Sequence, residues 1–126
     1  MAQISQVLKL KSNSSKRSAM ISFRRATLTD RAFLLTLRKT SMDQHLQMAG
    51  IYLDDKAHLK RIDEFFADSY LILIENDSIG LLKLGLFPDK IHVRQFQLLP
   101  AYQGLGIGGR VLDLVKTKAQ EKQIDI

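Results

Sequence analysis

The spacing of apolar positions changes along the chain and predicts where helices and strands lie. Two early segments carry apolar side chains three or four residues apart, which is the spacing of an amphipathic helix. Three later segments are short apolar runs separated by turn residues, which is typical of strands in a hairpin meander. A last long segment returns to the helical spacing. With one short strand at the start, the pattern predicts an α/β (α+β) domain of order β-α-α-β-β-β-α-(β).

Capping residues give the bounds of the two early helices. Thr29 or Asp30 caps the first, because a side-chain oxygen there accepts the free N–H groups of the first turn. We expect this helix to end at about Lys39 and an irregular stretch to cover Thr40–Leu53. Asp54 caps the second helix. The inward side chains of the second helix are expected at Leu59, Ile62, Phe65 and Phe66.

Turn residues separate the strands. Asn76-Asp77-Ser78 and Pro88-Asp89-Lys90 supply the turns of the meander, and Pro100 ends it by removing an N–H donor. The predicted strands are Ile21–Ala26, Tyr70–Glu75, Ile79–Phe87 and Ile91–Leu99, with the start of another at Ile124–Ile126. The last helix is expected from about Gly106 to Lys122.

The positive charge is confined to the N-terminal end. The net charge is +6, and residues 1–29 hold six basic and no acidic residues. Residues 30–126 hold the other 13 basic residues and all 13 acidic ones. We therefore interpret residues 1–19, rich in serine and lysine, as a tail or leader before a domain at residues 20–126. A basic tail can attract polyanions, but we expect no nucleic-acid interface in the body of the fold.

Composition excludes several classes of protein. There is no cysteine, which excludes disulfides, a thiolate zinc site and a cysteine nucleophile, and we assign no metal site. No apolar run approaches the roughly 18 residues that span a bilayer. The apolar residues of the first segment are too sparse for a signal peptide. We expect a cytoplasmic protein that makes no contact with membranes.

A glycine-rich turn joins the last strand of the meander to the last helix. Four glycines lie within Gln103–Gly109. Glycine lets a backbone approach a ligand closely, and the N–H groups at a helix start favour an anion. Because each glycine weakens a helix by roughly 1 kcal/mol, a purely structural turn would use them sparingly. The turn therefore predicts a diphosphate site, with a tight structural loop as the alternative.

The identity of the diphosphate follows from the position of the turn. No Gly-Lys-Ser/Thr follows, which excludes a P-loop. Gly104, Gly106 and Gly109 do satisfy the dinucleotide pattern G-x-G-x-x-G. That pattern normally follows the first strand of a βαβ unit, whereas three antiparallel-looking strands come first here. An NAD or FAD site is therefore the weaker alternative.

The segment Gln103-Gly104-Leu105-Gly106-Ile107-Gly108 resembles the Gln/Arg-x-x-Gly-x-Gly/Ala motif of the Gcn5-related N-acetyltransferases (GNAT). The preceding Phe96–Tyr102 is similar to that family's fourth strand and its exit, and Ile21–Thr27 to its first strand. The resemblance covers about residues 20–126. It implies a GNAT-like, mostly antiparallel sheet flanked by helices, with acetyl-CoA as co-substrate and an amine as acceptor.

The resemblance also implies which residues contact the cofactor. In this family the turn holds the pyrophosphate through backbone N–H groups, and the fourth strand pairs with the pantetheine arm. A bulge on that strand opens the slot for the thioester. The cofactor residues carried over are Gln97, Leu98, Leu99, Gln103, Gly104, Leu105, Gly106, Ile107, Gly108 and Gly109.

No catalytic acid or base is carried over. Many relatives place a glutamate on the fourth strand, but this chain has Gln95 and Gln97 there, and an amide cannot act as a base. We expect Gln95 or Gln97 to orient a water or a substrate, with the alternative that both are only polar residues on the surface of the strand. Tyr102 is expected to pack. His45 and Tyr52 fall in the segment that often forms the acceptor wall, and His92 is expected at the surface.

The family's closing strand, helix and tyrosine have no counterpart before Ile126. We therefore expect one side of the sheet to be open, with the chain a fragment or a second copy covering the edge. The sequence predicts an N-acetyltransferase. A CoA-binding regulatory module with little or no turnover is the alternative, because of the glutamines and the missing tyrosine.

Overall fold

The structure is a computed structural model that describes residues 20–50 and 52–126, with the side chains of residues 42–46 excepted. The predicted tail, residues 1–19, and the side chain of His45 lie outside the described residues. No helix in the described part is long and apolar enough to cross a bilayer.

Four strands and three α-helices form the described chain, in the order that the sequence predicts. They are β1 Ile21–Arg25, α1 Arg31–Met48, α2 Asp55–Asp63, β2 Ser69–Ile74, β3 Asp77–Leu86, β4 Ile91–Leu98 and α3 Ile107–Glu121. Short 3-10 turns lie at Leu28–Asp30, Phe66–Asp68 and Pro100–Tyr102.

The four strands form one sheet in chain order, and each pairs antiparallel with the next. This confirms the predicted α+β fold with a mostly antiparallel sheet. It also removes the structural basis of the dinucleotide alternative, since that site needs parallel strands in a βαβ unit. The predicted strand start at Ile124–Ile126 forms one parallel bridge, in which Ile91 N–H donates to Asp125 O at 2.7 Å.

Each face of the sheet carries its own hydrophobic core. On one face α3 packs through Ile107, Val111, Val115 and Ala119. On the other face α1 and α2 pack through Leu34, Leu37 and Ile62 against alternate residues of the strands. This alternation is the period-two pattern of a sheet buried on both sides. The result is a three-layer domain with β4 at one edge.

The helix α1 is longer than the sequence predicted. It continues to Met48, so the end at Lys39 and the irregular stretch from Thr40 are wrong. The hydroxyl of Thr40 donates to Thr36 O at 2.8 Å, and that of Ser41 donates to Leu37 O at 2.6 Å. Because these hydroxyls bond to carbonyls of the preceding turn, they do not end the helix.

The starts of the two early helices differ in how well they were predicted. At α2 the side chain of Asp54 accepts from Ala57 N–H at 2.9 Å, as expected of an N-cap. At α1 the predicted cap at Thr29 or Asp30 is wrong. A 3-10 turn comes first, and the Asp30 carboxylate instead reaches back to Thr27 N–H at 2.7 Å.

The end of α2 breaks the predicted apolar stripe. The helix stops at Asp63, and Phe65 has a left-handed backbone with φ 52°. The Phe65 side chain is exposed rather than inward, and the guanidinium of Arg94 lies 3.7 Å from its ring centroid. The prediction that Phe65 points into the core is therefore wrong. Its ring forms a cation–π contact with Arg94 outside the core instead.

Two details of the meander matter for the site. The first turn lies at Glu75 and Asn76, both with positive φ, so β3 begins at Asp77 rather than Ile79. In β4 a bulge leaves Arg94 unpaired, between the pairs Gln95–Lys83 and Val93–Leu84. Bulges bend a strand and increase its twist, so the second half of β4 turns away from the line of the first.

Candidate functional site

The glycine-rich turn lies between the end of β4 and the start of α3. Gly104 and Gly106 have φ of 75° and 80°, a conformation that favours glycine. Gly106 is the N-cap of α3 and makes no side-chain cap bond. The turn therefore uses glycine where the backbone requires it and leaves the helix start without a side chain over it.

The N–H groups of this turn are open. No backbone hydrogen bond among the described residues uses the N–H groups of residues 104–109. The first amide to bond within α3 is that of Arg110, which donates to Gly106 O at 3.2 Å. A Cβ added at Gly104, Gly106 or Gly109 would meet nothing within 4 Å. An anion can therefore approach these amides, where the helix dipole also favours negative charge.

Gln103 fastens the turn to the sheet. Its side-chain Nε2 donates to Leu98 O at 3.0 Å, and its backbone N–H donates to Pro100 O at 3.2 Å. Its N–H is thus already used, and the open amides begin at Gly104. Tyr102 packs against the core on the α3 face, as the sequence predicts.

The outer edge of β4 carries further open backbone groups. Leu99 N–H donates to Ile79 O at 2.8 Å, and Gln97 pairs with Leu81. Because antiparallel pairs alternate, the backbones of Leu99 and Gln97 face β3, whereas those of Leu98 and Phe96 face outward. Beyond the bridge between Lys90 and Asp125, no described strand pairs with this edge, and Leu98 O accepts from the Gln103 side chain.

A cleft of about 570 Å³ lies on the α1–α2 face of β4. Gln95, Gln97 and His92 line it from the strand, and Leu53 and Phe65 line it from the helix side. Both glutamines that the sequence singled out are therefore brought to one cavity. His92 is exposed, as expected, and also contributes to the cleft wall.

Gln97 carries an unpaired polar atom. Its side-chain Oε1 is buried and has no hydrogen-bond partner among the described residues. A buried acceptor without a donor costs about 1–3 kcal/mol, so such an atom is unusual in a folded domain. A ligand N–H in the cleft would satisfy it.

Lys83 lies at the base of the cleft and is 3 % exposed. Its Nζ donates to the carbonyl oxygens of Glu64 at 2.6 Å, Ile62 at 3.3 Å and Arg61 at 3.4 Å. These carbonyls end α2, where the helix dipole favours a cation. Burial lowers the pKa of the Lys83 ammonium, and the nearby charge of Arg38 lowers that pKa further.

Arg38 is the second buried cation of the cleft. It lies on α1, is 6 % exposed, and its Nε donates to Nδ1 of the fully buried His58 at 3.2 Å. Accepting this bond requires Nδ1 of His58 to be unprotonated, so the ring proton is on Nε2. The bond joins α1 to α2 beneath the cleft.

Arg94 and Arg61 complete the cationic lining. Arg94 Nε lies 2.9 Å from the Asp68 carboxylate, so its charge is balanced. Arg61 is exposed at the rim, 3.8 Å from Glu64. The sequence analysis missed all four cations. Lys83 was detectable, since a lysine inside the apolar run of β3 is an unusual residue for a buried strand.

The remaining predicted site residues are dispersed. Tyr52 is 79 % exposed and does not line the cleft, although its neighbour Leu53 does. The side chain of His45 lies outside the described residues. Within the described chain, no group of three or more histidine or acidic side chains is placed to hold a metal ion.

These elements define a class: a three-layer α+β domain with a glycine-rich turn of open N–H groups after β4 and a cleft beside it. No family model matches the chain, and no curated protein matches it. Solved structures do match. One is a PaiA N-acetyltransferase from Thermoplasma acidophilum in complex with coenzyme A, at 18 % identity and a TM-score of 0.60, covering 82 % of this chain and 74 % of that one.

Two further structures match to a similar degree. An acetyltransferase of the GNAT family from Bacillus anthracis has 11 % identity and a TM-score of 0.61, covering 92 % of this chain and 69 % of that one. An acetyltransferase from Thermus thermophilus has 15 % identity and a TM-score of 0.61, covering 77 % and 68 %. The chain therefore has the fold of the Gcn5-related N-acetyltransferases, as its glycine motif predicts. At these identities the likeness establishes the fold alone.

Proposed function

We propose that this chain binds acetyl-CoA and transfers the acetyl group to the amine of an acceptor. The observation that carries the proposal is the row of N–H groups at residues 104–109, which have no backbone acceptors and which border open space at Gly104, Gly106 and Gly109. A diphosphate matches such a row at a helix N-terminus. The coenzyme A complex of the Thermoplasma acetyltransferase, which has the same fold, supports CoA as its source.

The proposed cofactor residues act in two groups. Residues 104–109 bind the diphosphate through their amides, while the Gln103 side chain holds the turn in place by its bond to Leu98 O. On β4 the outward N–H of Leu98 is available to a pantetheine amide. Gln97 and Leu99 shape the slot with their side chains, because their backbones pair with β3.

Acetyl-CoA supplies a thioester, whose carbonyl carbon a neutral amine attacks. A C–N bond forms as the C–S bond breaks, and one proton passes from the amine to the departing sulfur. Neither Gln95 nor Gln97 can take that proton. We assign to Oε1 of Gln97 the role of accepting an N–H of the acceptor amine, which orients the nitrogen. No acid or base is assigned.

A CoA-binding module with little or no turnover is the second candidate. The observation in its favour is that β4 presents His92, Gln95 and Gln97 to the cleft and no carboxylate. Both candidates use the same cofactor site, so binding and turnover must be measured separately. The cytoplasmic location expected from the sequence is retained as part of the proposal.

Calorimetric titration with acetyl-CoA, CoA and NAD tests the binding step. We expect both CoA compounds to bind and NAD not to bind. Gly106→Val should reduce acetyl-CoA affinity at least about a hundredfold, because a side chain over the open amides blocks charge-assisted hydrogen bonds worth about 1.5–3 kcal/mol each.

Valine at Gly106 also strains the backbone, because φ is positive there, and Gly50→Val is the matched control for that strain. Gly50 has φ of 77°, has nothing within 4 Å of an added Cβ, and lies outside the glycine turn. Both variants should lose a similar free energy of unfolding, but only Gly106→Val should lose acetyl-CoA affinity. Equal acetyl-CoA affinity in the two variants would reject the assigned turn. A thiol-release assay over a panel of amines then separates the enzyme from the module.

A further inference from the structure

Phe65 places an exposed aromatic ring in the wall of the cleft beside β4. The residue follows the end of α2 and lines the cleft together with Leu53, yet it is 59 % exposed. Its backbone is left-handed, with φ of 52°, a conformation that a bulky residue rarely adopts. Such strain is typical of ligand sites. Since neither burial nor backbone preference accounts for a phenylalanine here, its contacts must.

Arg94 fixes one face of this ring. Its guanidinium lies 3.7 Å from the centroid of the Phe65 ring, and its Nε donates to the Asp68 carboxylate at 2.9 Å. The guanidinium also lies against Gly85, where an added Cβ would be 2.8 Å from Nη2. Arg94 is the unpaired residue of the β4 bulge. The bulge, the ion pair and the glycine therefore hold the ring in the cleft wall with one face covered and the rest accessible.

The cations near Phe65 already have partners in the protein. Arg94 pairs with Asp68, and Arg61 lies 3.8 Å from Glu64. Lys83 donates to three carbonyl oxygens at the end of α2, where the charge of nearby carboxylates also acts on it. Among the described lining residues Glu64 is the one carboxylate, and it is the partner of Arg61. These groups therefore require no anionic ligand, and they leave no unpaired carboxylate in this lining for a cationic one.

The accessible part of the Phe65 ring favours a neutral aromatic group. A cation is attracted to the negative face of a ring, but a second cation would be repelled by the Arg94 charge on the first face. An aromatic group instead gains an offset or edge-to-face contact in addition to the burial of its apolar area. The ring therefore discriminates against an ammonium and for a second ring.

We infer that the acceptor is an amine that carries an aromatic ring, and that Phe65 determines this specificity. The acceptor ring packs against Phe65 and Leu53, and the amine donates to Oε1 of Gln97, which is buried without a donor among the described residues. The cleft volume of about 570 Å³ is that of a small-molecule site. This inference rests on the proposed function, because it names the acceptor class of that reaction.

Matched amines test the inference. Phenethylamine, cyclohexylethylamine, ethylamine and the diamine putrescine are titrated calorimetrically into the full chain, with and without CoA, and their acetylation is followed by thiol release. We expect phenethylamine to bind about three- to tenfold more tightly than cyclohexylethylamine, the gain of one aromatic pair. Its kcat/KM should exceed that of ethylamine and of putrescine at least about tenfold, since those amines leave the Phe65 ring uncovered.

Ring variants locate the effect. Phe65→Asn removes the ring and introduces a side chain that tolerates the left-handed backbone. It should bring the affinity ratio of phenethylamine to cyclohexylethylamine to about one, with thermal unfolding as the check on folding. Phe65→Tyr keeps the ring and should keep the preference. If Phe65→Asn does not fold, the amine series of the unaltered chain decides.

Phe87→Leu is the matched control for these variants. Phe87 is also a partly exposed ring beside Arg94, with the guanidinium 5.8 Å from its centroid, but it does not line the cleft. Its replacement removes an aromatic contact of the same arginine and should leave the preference for phenethylamine unchanged.

The outcomes separate this inference from the proposed function. Phenethylamine that binds no better than cyclohexylethylamine or putrescine, or not at all to a chain that binds acetyl-CoA, overturns the aromatic acceptor and leaves the cofactor site standing. A preference that survives Phe65→Asn, or that Phe87→Leu abolishes, also overturns it. So does a molar mass that falls in Phe65→Asn, because the ring then serves a contact between copies. A chain that binds no acetyl-CoA rejects the proposed function, while the titrations without CoA still report the ring preference.

Discussion

At the scale of single residues, the site contains polar groups that have no hydrogen-bond partner within the described protein. The Gln97 Oε1 atom is buried without a donor, and the amides of residues 104–109 have no backbone acceptors. The buried oxygen is a cost to the folded chain that a ligand can recover, and the open amides are accessible to an anion. The two kinds of group lie at the same end of β4, the amides in the turn that follows the strand and the glutamine on its cleft-facing side.

The Gln97 oxygen gives a prediction in which stability and activity change in opposite directions. Gln97→Met keeps the length of the side chain and removes the unpaired acceptor. We expect the free energy of unfolding to rise by about 1 kcal/mol, the lower end of the cost of a buried unsatisfied group. The kcat/KM for acetyl transfer should fall about tenfold, the loss of one hydrogen bond to the acceptor amine.

Gln95→Met is the control for this prediction. Gln95 lines the same cleft, but no buried unpaired atom is found on it. Its replacement should change the free energy of unfolding by less than about 0.5 kcal/mol, as for most surface substitutions. Urea denaturation and steady-state kinetics measure both effects. A destabilised Gln97→Met that keeps full activity would contradict the assigned role.

What the sequence predicts at this scale depends on how local the signal is. The glycine turn was found because its residues are consecutive and their backbone needs are local. Lys83 was detectable as a charge within an apolar strand. The bond from Arg38 to His58 was not, because the two residues are 20 positions apart and only the packing of α1 on α2 brings them together.

At the scale of elements, the hydrophobic periodicity located the four strands and the three helices, but it did not give their ends. The error at α1 arose because Thr40 and Ser41 disfavour helices by competing for backbone bonds, yet here they bond to carbonyls of the same helix. At α2 the local signal was sufficient, since Asp54 and the first turn lie side by side in sequence.

The cap of α2 provides a test at this scale. Asp54→Ala should lower the free energy of unfolding by about 1 kcal/mol, because the N–H of Ala57 loses its acceptor. Asp55→Ala is the neighbouring control, since Asp55 makes an exposed ion pair with Lys39 at 2.8 Å. Its replacement should cost no more than about 0.5 kcal/mol.

Chemical denaturation of the two variants measures the difference. If they lose equal stability, the helix start does not depend on the Asp54 cap. Because α2 ends at the carbonyls that Lys83 binds, fraying of this helix should also lower affinity for an acceptor in the cleft. The cap thus links a local sequence signal to the base of the site.

At the scale of the whole molecule, the outer edge of β4 is one of the two edges of the described sheet. Past the bridge between Lys90 and Asp125, the outward N–H groups of Phe96 and Leu98 pair with no described strand. Open edges invite pairing with another chain, and a bulge such as that at Arg94 limits it. Two occupants are available for this edge, the pantetheine arm of the proposed cofactor and a second copy of the chain.

The two occupants compete, because the N–H of Leu98 cannot serve both. We predict that the chain associates through this edge when no cofactor is present and that acetyl-CoA shifts it towards the monomer. Size-exclusion chromatography with light scattering measures the molar mass at increasing protein concentration, with and without the cofactor. The mass should approach twice that of the monomer without acetyl-CoA and fall towards one monomer with it, by mass action.

A proline on the edge provides the control variant for this competition. Leu98→Pro removes the N–H that both occupants need, so it should weaken association and acetyl-CoA binding together. Lys116→Gln, on α3, should affect neither. A chain that is monomeric at every concentration without cofactor, or a dimer whose mass acetyl-CoA does not change, would show that β4 does not form the interface. In that case the outward N–H of Leu98 is available to the pantetheine arm of the cofactor alone, since no second copy of the chain competes for it.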